Sequence, residues 1–176
     1  MFGSMKNYAE IWSLTLSPHS ESPFIVSSSE DQSERVFKMD HKEQLYEQVH
    51  HLKGHSLAVT SIDWKVMHPK IGEVYVSCSD DKVIRFRDPK CDFKVLYEVE
   101  TSTIKEWHTL TYLSLEEGGT RLAVGSQNGY LFVWDIAEKK LLFGEKVHLG
   151  GIEGMDWKKG KLVTCSSDLC VNVIEL

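Results

Sequence analysis

Val74-Tyr75-Val76-Ser77-Cys78-Ser79-Asp80-Asp81-Lys82-Val83-Ile84-Arg85-Phe86-Arg87-Asp88 reads as two strands joined by a tight turn. Its apolar residues alternate or run briefly, and they are rich in Val, Ile and aromatics, the composition of half-buried and buried strands. Asp80-Asp81-Lys82 supplies the turn. Gly54-His55 and the strand Val59 to Trp64 precede it, and Lys94 to Val99 follows as a further strand. The same order recurs. Trp107 to Tyr112, Leu122 to Gly129 and Tyr130 to Asp135 form one further set. His148, Ile152 to Trp157, Leu162 to Asp168 and Cys170 to Glu175 form another. Ile11 to Leu16, Phe24 to Asp31 and Arg35 to Phe37 make an earlier, weaker copy.

The register is consistent. Asp31, Asp81, Asn128 and Asp168 share one position, at intervals of 50, 47 and 40 residues. Six residues after each come Phe37, Arg87, Trp134 and Ile174. The extra length of the early units is assigned to His41 to Gln48 and Met67 to Gly72, because loops accept insertions that strands do not. Fourth strands are expected at Leu45 to Leu52, Lys94 to Val99 and Lys140 to Lys146, and the last unit reaches only its third strand. Lys38 to Gln48 is the best helix candidate, but its polar excess favours a loop leading into a strand. The pattern predicts an all-β chain.

These residues resemble the WD-repeat (WD40) β-propeller family. The resemblance rests on Gly54-His55, the Ser-x-Asp turns ending at Asp81 and Asp168, and Trp134-Asp135, and it covers roughly residues 9 to 176. Four units in register near the family's ~40–45-residue period carry it. It implies about four four-stranded antiparallel blades in a partial or half propeller: an N-terminal arm or tag remnant at 1–8, then blades at 9–53, 54–100, 101–147 and 148–176, the last lacking its fourth strand. In the family, a His before the first strand bonds a Ser or Thr on the second strand and the Asp of the turn, and the Ser or Thr reaches a third-strand Trp. His55, Ser77 and Asp81 match three of those places, with Arg87 in place of the Trp. Trp134 is present in its unit, with Asn128 for the Asp. His148 and Asp168 match, with Ile174 for the Trp.

The resemblance also implies a non-catalytic scaffold, a subunit of a multiprotein complex that binds partner peptides on the top face. Glu30, Asp80, Gln127 and Ser167 occupy the turn tips of that face, and Leu57, Lys105 and Glu106 the strand entrances. Tyr112 and Trp107 are either aromatic anchors or core. Glu30 with Asp80 suggests a partly acidic rim and a basic peptide. The ubiquitin-ligase adaptor pattern Trp-Asp-x-Arg is not met, since Ile136-Ala137 follows Trp134-Asp135. An alternative is an obligate half-propeller that completes its ring by dimerisation or with another chain. A third reading is an enzyme subunit with an inter-blade site.

Enzyme chemistry finds little support in the residues themselves. His55 with Asp81 and His148 with Asp168 resemble acid–base pairs, but a pair repeated at equivalent positions looks like scaffolding. Cys78 and Cys165 are also register equivalents and are expected as small buried thiols. Strands of separate blades do not converge as zinc ligation requires. Gly154 to Lys161 has five residues between its glycines, and Leu162 stands where a phosphate loop needs Ser or Thr. It reads as a strand and turn, with Lys158, Lys159 and Lys161 solvated or forming a patch for an acidic ligand. No catalytic, cofactor or metal residues are assigned.

Composition sets the bounds. The 176 residues include 20 Lys plus Arg against 26 Asp plus Glu, so the net charge of −6 argues against nucleic acid as a partner. Hydrophobic residues at 41% and charged residues at 26% describe an ordinary globular chain. No apolar run is long enough for a membrane helix, and Met1 to Glu10 lacks a signal-peptide core. Met1 to Ser4 reads as a cloning scar ahead of Met5 or as a native start. The 4 cysteines form no Cys-x-x-Cys pair, which suggests a reducing compartment, cytoplasmic or nuclear.

Overall fold

The computed structural model describes residues 7–18, 23–40, 45–102 and 109–176. They form four antiparallel sheets, each laid out in chain order. The first contains β1 (Ile11–Leu16), β2 (Ile25–Ser29), β3 (Glu34–Asp40) and β4 (Leu45–Leu52). The second contains β5 (Val59–Val66), β6 (Glu73–Ser79), β7 (Val83–Asp88) and β8 (Lys94–Glu100). The third contains β9 (Leu110–Leu115), β10 (Arg121–Ser126), β11 (Tyr130–Asp135) and β12 (Lys140–Lys146). The fourth has three strands, β13 (Ile152–Lys158), β14 (Lys161–Ser166) and β15 (Val171–Glu175). The first strands pack side by side, β1 on β5, β5 on β9 and β9 on β13. The fold is therefore the expected all-β stack of propeller-type blades. No helix among the described residues is long and apolar enough to cross a membrane.

Two local expectations shift. The third unit's first strand, read over Trp107 to Tyr112, is seen among the described residues at Leu110–Leu115. Pairing Leu113 with Val124 and Leu115 with Leu122 buries all four on one side, which fixes the register. Trp107 and His108 lie outside the described residues. Residues 45–48, read both as the end of the His41 to Gln48 loop and as the start of the Leu45 to Leu52 strand, belong to β4 as the strand reading has it, with Tyr46 and Glu47 paired to β3; residues 41–44 lie outside the described residues.

Strand alternation gives each internal sheet two buried faces. Val26, Val36 and Leu52 of the first sheet meet Ile62, Trp64, Tyr75 and Phe93 of the second. Trp64 stands edge-on to Tyr75 and Phe93, at 6.2 and 5.4 Å between ring centres. Val76, Cys78, Ile84 and Phe86 on the other side of the second sheet meet Leu113, Leu122, Val124 and Phe132 of the third. Ala123, Leu131 and Val133 then meet Met155, Trp157 and Leu162 of the fourth. Each Val, Leu, Ile, Phe or Met among them contributes about 1.5–3 kcal/mol on burial, so the three seams are a main source of stability.

The outer faces differ. Leu14 and Leu16 on the first sheet and Val171 and Val173 on the fourth are exposed. Cys165, expected to be buried like its equivalent Cys78, is exposed for the same reason: it lies on the fourth sheet's outer face, with no further sheet packed over it among the described residues.

Candidate functional site

The turns between second and third strands are built alike. The backbone N–H groups of Asp31, Asp81 and Asp168 donate to Ser29, Ser79 and Ser166 Oγ at 3.1–3.2 Å. Each carboxylate then accepts the N–H two residues on, from Ser33, Val83 and Cys170. The residue between them, Gln32, Lys82 or Leu169, takes a left-handed φ of 65–69°. In the third sheet this position is Gly129, at φ 84°, where a Cβ would strike the backbone carbonyl of His148. The short polar residues at this turn thus act as backbone surrogates.

Two of these turns are tied to a histidine. Nδ1–H of His55 donates to Asp81, 3.0 and 3.2 Å from its two oxygens, and Nε2 meets Ser77 Oγ at 3.0 Å. His148 repeats this with Asp168, at 3.1 and 3.2 Å, and with Thr164 Oγ1 at 2.8 Å. Both imidazoles are buried. Both ring nitrogens are occupied in each, so the pairs brace the blade rather than present a free base. Burial works to raise the Asp81 carboxyl, but the hydrogen bonds from His55 and the Ser56 N–H prevail and hold it at about 2. Asp168 is also held at about 2: desolvation opposes, while the Leu149 and Cys170 N–H groups and His148 outweigh it. Gly54, at φ 138°, lets the chain pass close to Arg85, whose guanidinium would sit 3.3 Å from an added Cβ.

The other two sheets solve the problem differently. Asn7 takes the place of the histidine in the first sheet, with its amide nitrogen 3.1 Å from Ser27 Oγ and its oxygen accepting from Arg35 at 3.1 Å. Arg35 also pairs with Asp31 at 2.7 Å. Desolvation opposes, but the bonds from Arg35 and Ser33 bring Asp31 to about 2. In the third sheet Ser126 Oγ–H donates to Asn128 at 2.6 Å, and Trp134 is buried, packed against Phe132 at 6.1 Å. Arg87, in the tryptophan position, donates instead to the carbonyls of Phe93 and Lys53. No pattern in the sequence pointed to Asn7 or to these carbonyls. Thr164 was identifiable only as the register equivalent of Ser77.

The tip residues emerge together at one end of the sheets. The N–H groups of Glu30, Asp80, Gln127 and Ser167 donate to the carbonyls of Glu10, Ala58, Thr109 and Gly151, each at the entrance to its own sheet's first strand. Every turn tip is therefore pinned beside a strand entrance. Glu30, Gln127 and Ser167 are exposed, and Asp80 is half-buried. Desolvation, reinforced by Asp81, raises the Asp80 carboxyl. Leu57 adds an exposed apolar side chain at 49%. Lys105 and Glu106 lie outside the described residues.

Between the first strands runs an open groove of about 850 Å³, lined by Ser13, Leu16, Asp63, Tyr112 and Asp156 among others. Tyr112 is half-buried against the seam between third and fourth sheets, so it divides between core and groove. Burial raises the Asp63 carboxyl. No group of three or more His, Cys, Asp or Glu among the described residues is placed to hold a metal ion.

Comparison with known proteins agrees with this architecture. Residues 46–88 match the family model "WD domain, G-beta repeat". A 59-residue segment is 39% identical to the pre-rRNA-processing protein IPI3 of Yarrowia lipolytica (strain CLIB 122 / E 150); it is 34% of this chain and 14% of that protein. The fold is similar to the crystal structure of the computationally designed Ika4 protein, with TM-score 0.73 and 19% identity over 97% of this chain and 94% of that one. It is similar also to the designed Ika8 protein, with TM-score 0.72 and 19% identity over 97% of this chain and 47% of that one.

Proposed function

The chain is a WD-repeat protein, and we propose that it is a non-catalytic scaffold whose top face holds a peptide of a partner protein within a multiprotein complex. One observation carries this reading: the four turn tips Glu30, Asp80, Gln127 and Ser167 are pinned beside the four strand entrances, at one end of a rigid stack. A surface built from loops on a braced scaffold is where binding side chains are usually found. Glu30 and Asp80 make part of the rim acidic, which favours a basic partner segment. The exposed Leu57 offers an apolar contact beside it.

The segment shared with a pre-rRNA-processing protein makes a nuclear complex acting on pre-rRNA the first place to seek the partner. The net charge of −6 favours contact with a protein of such a complex over contact with the RNA.

The test is affinity capture with cross-linking, comparing the native chain with a Glu30→Lys, Asp80→Lys variant. The variant is expected to keep its circular dichroism and lose most of the captured partner. Undiminished capture, with cross-links mapping elsewhere, overturns the assignment of the top face.

A further inference from the structure

The two terminal sheets expose faces whose register equivalents are buried inside the stack. Val76, Ile84 and Phe86 of the second sheet pack on the third, and all are at most 2% exposed. Their counterparts in the fourth sheet are Val163, Val171 and Val173, paired in the same way, with Val171 and Val173 at 66% and 62% exposure. At the other end, Leu113 and Leu115 of the third sheet are buried against the second. Their counterparts on the first sheet are Leu14 and Leu16, at 62% and 56% exposure. One outer face is thus of the kind that receives a following sheet, and the other of the kind that packs on a preceding one.

A polar contact sharpens the match. Asp63 accepts the N–H of its neighbour Trp64 with Oδ1 at 2.8 Å, and with Oδ2 it accepts the N–H of Leu115, across the seam, at 2.9 Å. Asp156 is its equivalent in the fourth sheet. Oδ1 of Asp156 accepts the Trp157 N–H at 2.9 Å in the same manner, and its side lies exposed on the outer face. The equivalent of Leu115 in the first sheet is Leu16. Ser17 N–H donates to Phe24 at 3.0 Å, as Glu116 N–H donates to Arg121 at 2.9 Å. By antiparallel alternation the N–H of Leu16, like that of Leu115, points out of its sheet.

We propose that two copies of this chain pair head to tail. The first sheet of each packs on the fourth sheet of the other, Leu14 and Leu16 cover Val171 and Val173, and Asp156 accepts the N–H of Leu16. A head-to-tail contact closes when the rotation completes a ring, and eight sheets lie within the range of known propellers. The same four-sheet arrangement occupies 94% of one designed chain but only 47% of another, so a longer chain has room for two such units.

Sedimentation velocity on the 176-residue chain at micromolar concentrations tests this. The expected species has twice the 20.1 kDa chain mass. Leu16→Glu and Val173→Glu, both at exposed positions, are each expected to give folded monomer by circular dichroism. Mixing the two variants restores a dimer, because the first sheet of the Val173→Glu copy and the fourth sheet of the Leu16→Glu copy remain intact. Asp156→Ala is expected to raise the dimer dissociation constant roughly tenfold or more, as loss of a charge-assisted hydrogen bond does. A monomer at all concentrations overturns the proposal. So does a dimer indifferent to both glutamates, a mixture that stays monomeric, or an open ladder of oligomers.

Discussion

Glu34 of the first sheet lies 3.8 Å from the His55 ring of the second, and neither of its carboxylate oxygens has a hydrogen-bond partner among the described residues. The one Lys or Arg at salt-bridge distance from it among the described residues is Arg87, at 3.9 Å. Both ends of this pair are buried, in the seam where Tyr75 and Phe93 are also buried. A carboxylate in such a place gives up its hydration for loose Coulombic contact, and this trade is often neutral or unfavourable. Glu34→Gln is therefore expected to leave the urea midpoint unchanged or raise it. Arg87→Met, which strands Glu34 and frees the carbonyls of Phe93 and Lys53, is expected to cost about 3–5 kcal/mol. Urea unfolding of both variants checks the asymmetry; equal losses refute it.

The histidine braces give a second comparison. His55 and His148 occupy equivalent positions and hold equivalent partners, so His55→Ala and His148→Ala each remove one buried hydrogen bond, to the hydroxyl, and one partly buried, to the carboxylate. Each loss leaves a hydroxyl and part of a carboxylate unmatched, worth about 2–3 kcal/mol. His55 sits in an internal sheet and His148 in a terminal one. Hydrogen exchange is expected to show loosening of both flanking seams for His55→Ala, and of the last seam alone for His148→Ala.

What the sequence made legible was whatever repeats along the chain. The Ser-x-Asp turns, the alternating apolar strands and the equivalence of His55 with His148 follow from period and register. Contacts between successive sheets do not, because they join residues whose separation is set by stacking. Asp63 reaches Leu115 over 52 positions, and Glu34 faces His55 from another repeat. Asn7 was invisible for a related reason. It replaces a histidine with a different residue type, ahead of a repeat that has no Gly-His to mark the place. Cys165 misled because register predicts the environment a position has inside a stack, and its sheet is the terminal one.

Acid sensitivity follows from the three turn carboxylates. Asp31, Asp81 and Asp168 are each held at about 2 in the fold, below the ordinary value of about 3.9 in an unfolded chain. A depressed folded pKa adds stability that is complete above the unfolded value and is lost as pH falls through the folded one. The urea midpoint is expected to fall between about pH 4 and pH 2 on this account. Asp81→Asn lowers the midpoint at neutral pH and flattens its descent in acid. A descent as steep as that of the native chain shows that Asp81 is not one of the groups responsible.

The cysteines report on the outer face directly. Cys78 is buried, and burial pushes its thiol up to about 12, with the Thr60 hydrogen bond only partly opposing. Cys91, Cys165 and Cys170 are exposed. A thiol reagent followed by mass mapping should modify those three readily and reach Cys78 only on unfolding, since reactivity requires both thiolate and access. Concentration then separates Cys165 from Cys91. Cys165 pairs with Val171 on the fourth sheet's outer face, whereas Cys91 lies in the turn after β7, away from that face. If a second copy covers the outer face, Cys165 labelling slows as the chain is concentrated while Cys91 labelling does not. The Leu16→Glu variant should abolish that protection while leaving the Cys165 position itself untouched, so a fall in Cys165 reactivity that survives Leu16→Glu has some other cause than the pairing of first and fourth sheets.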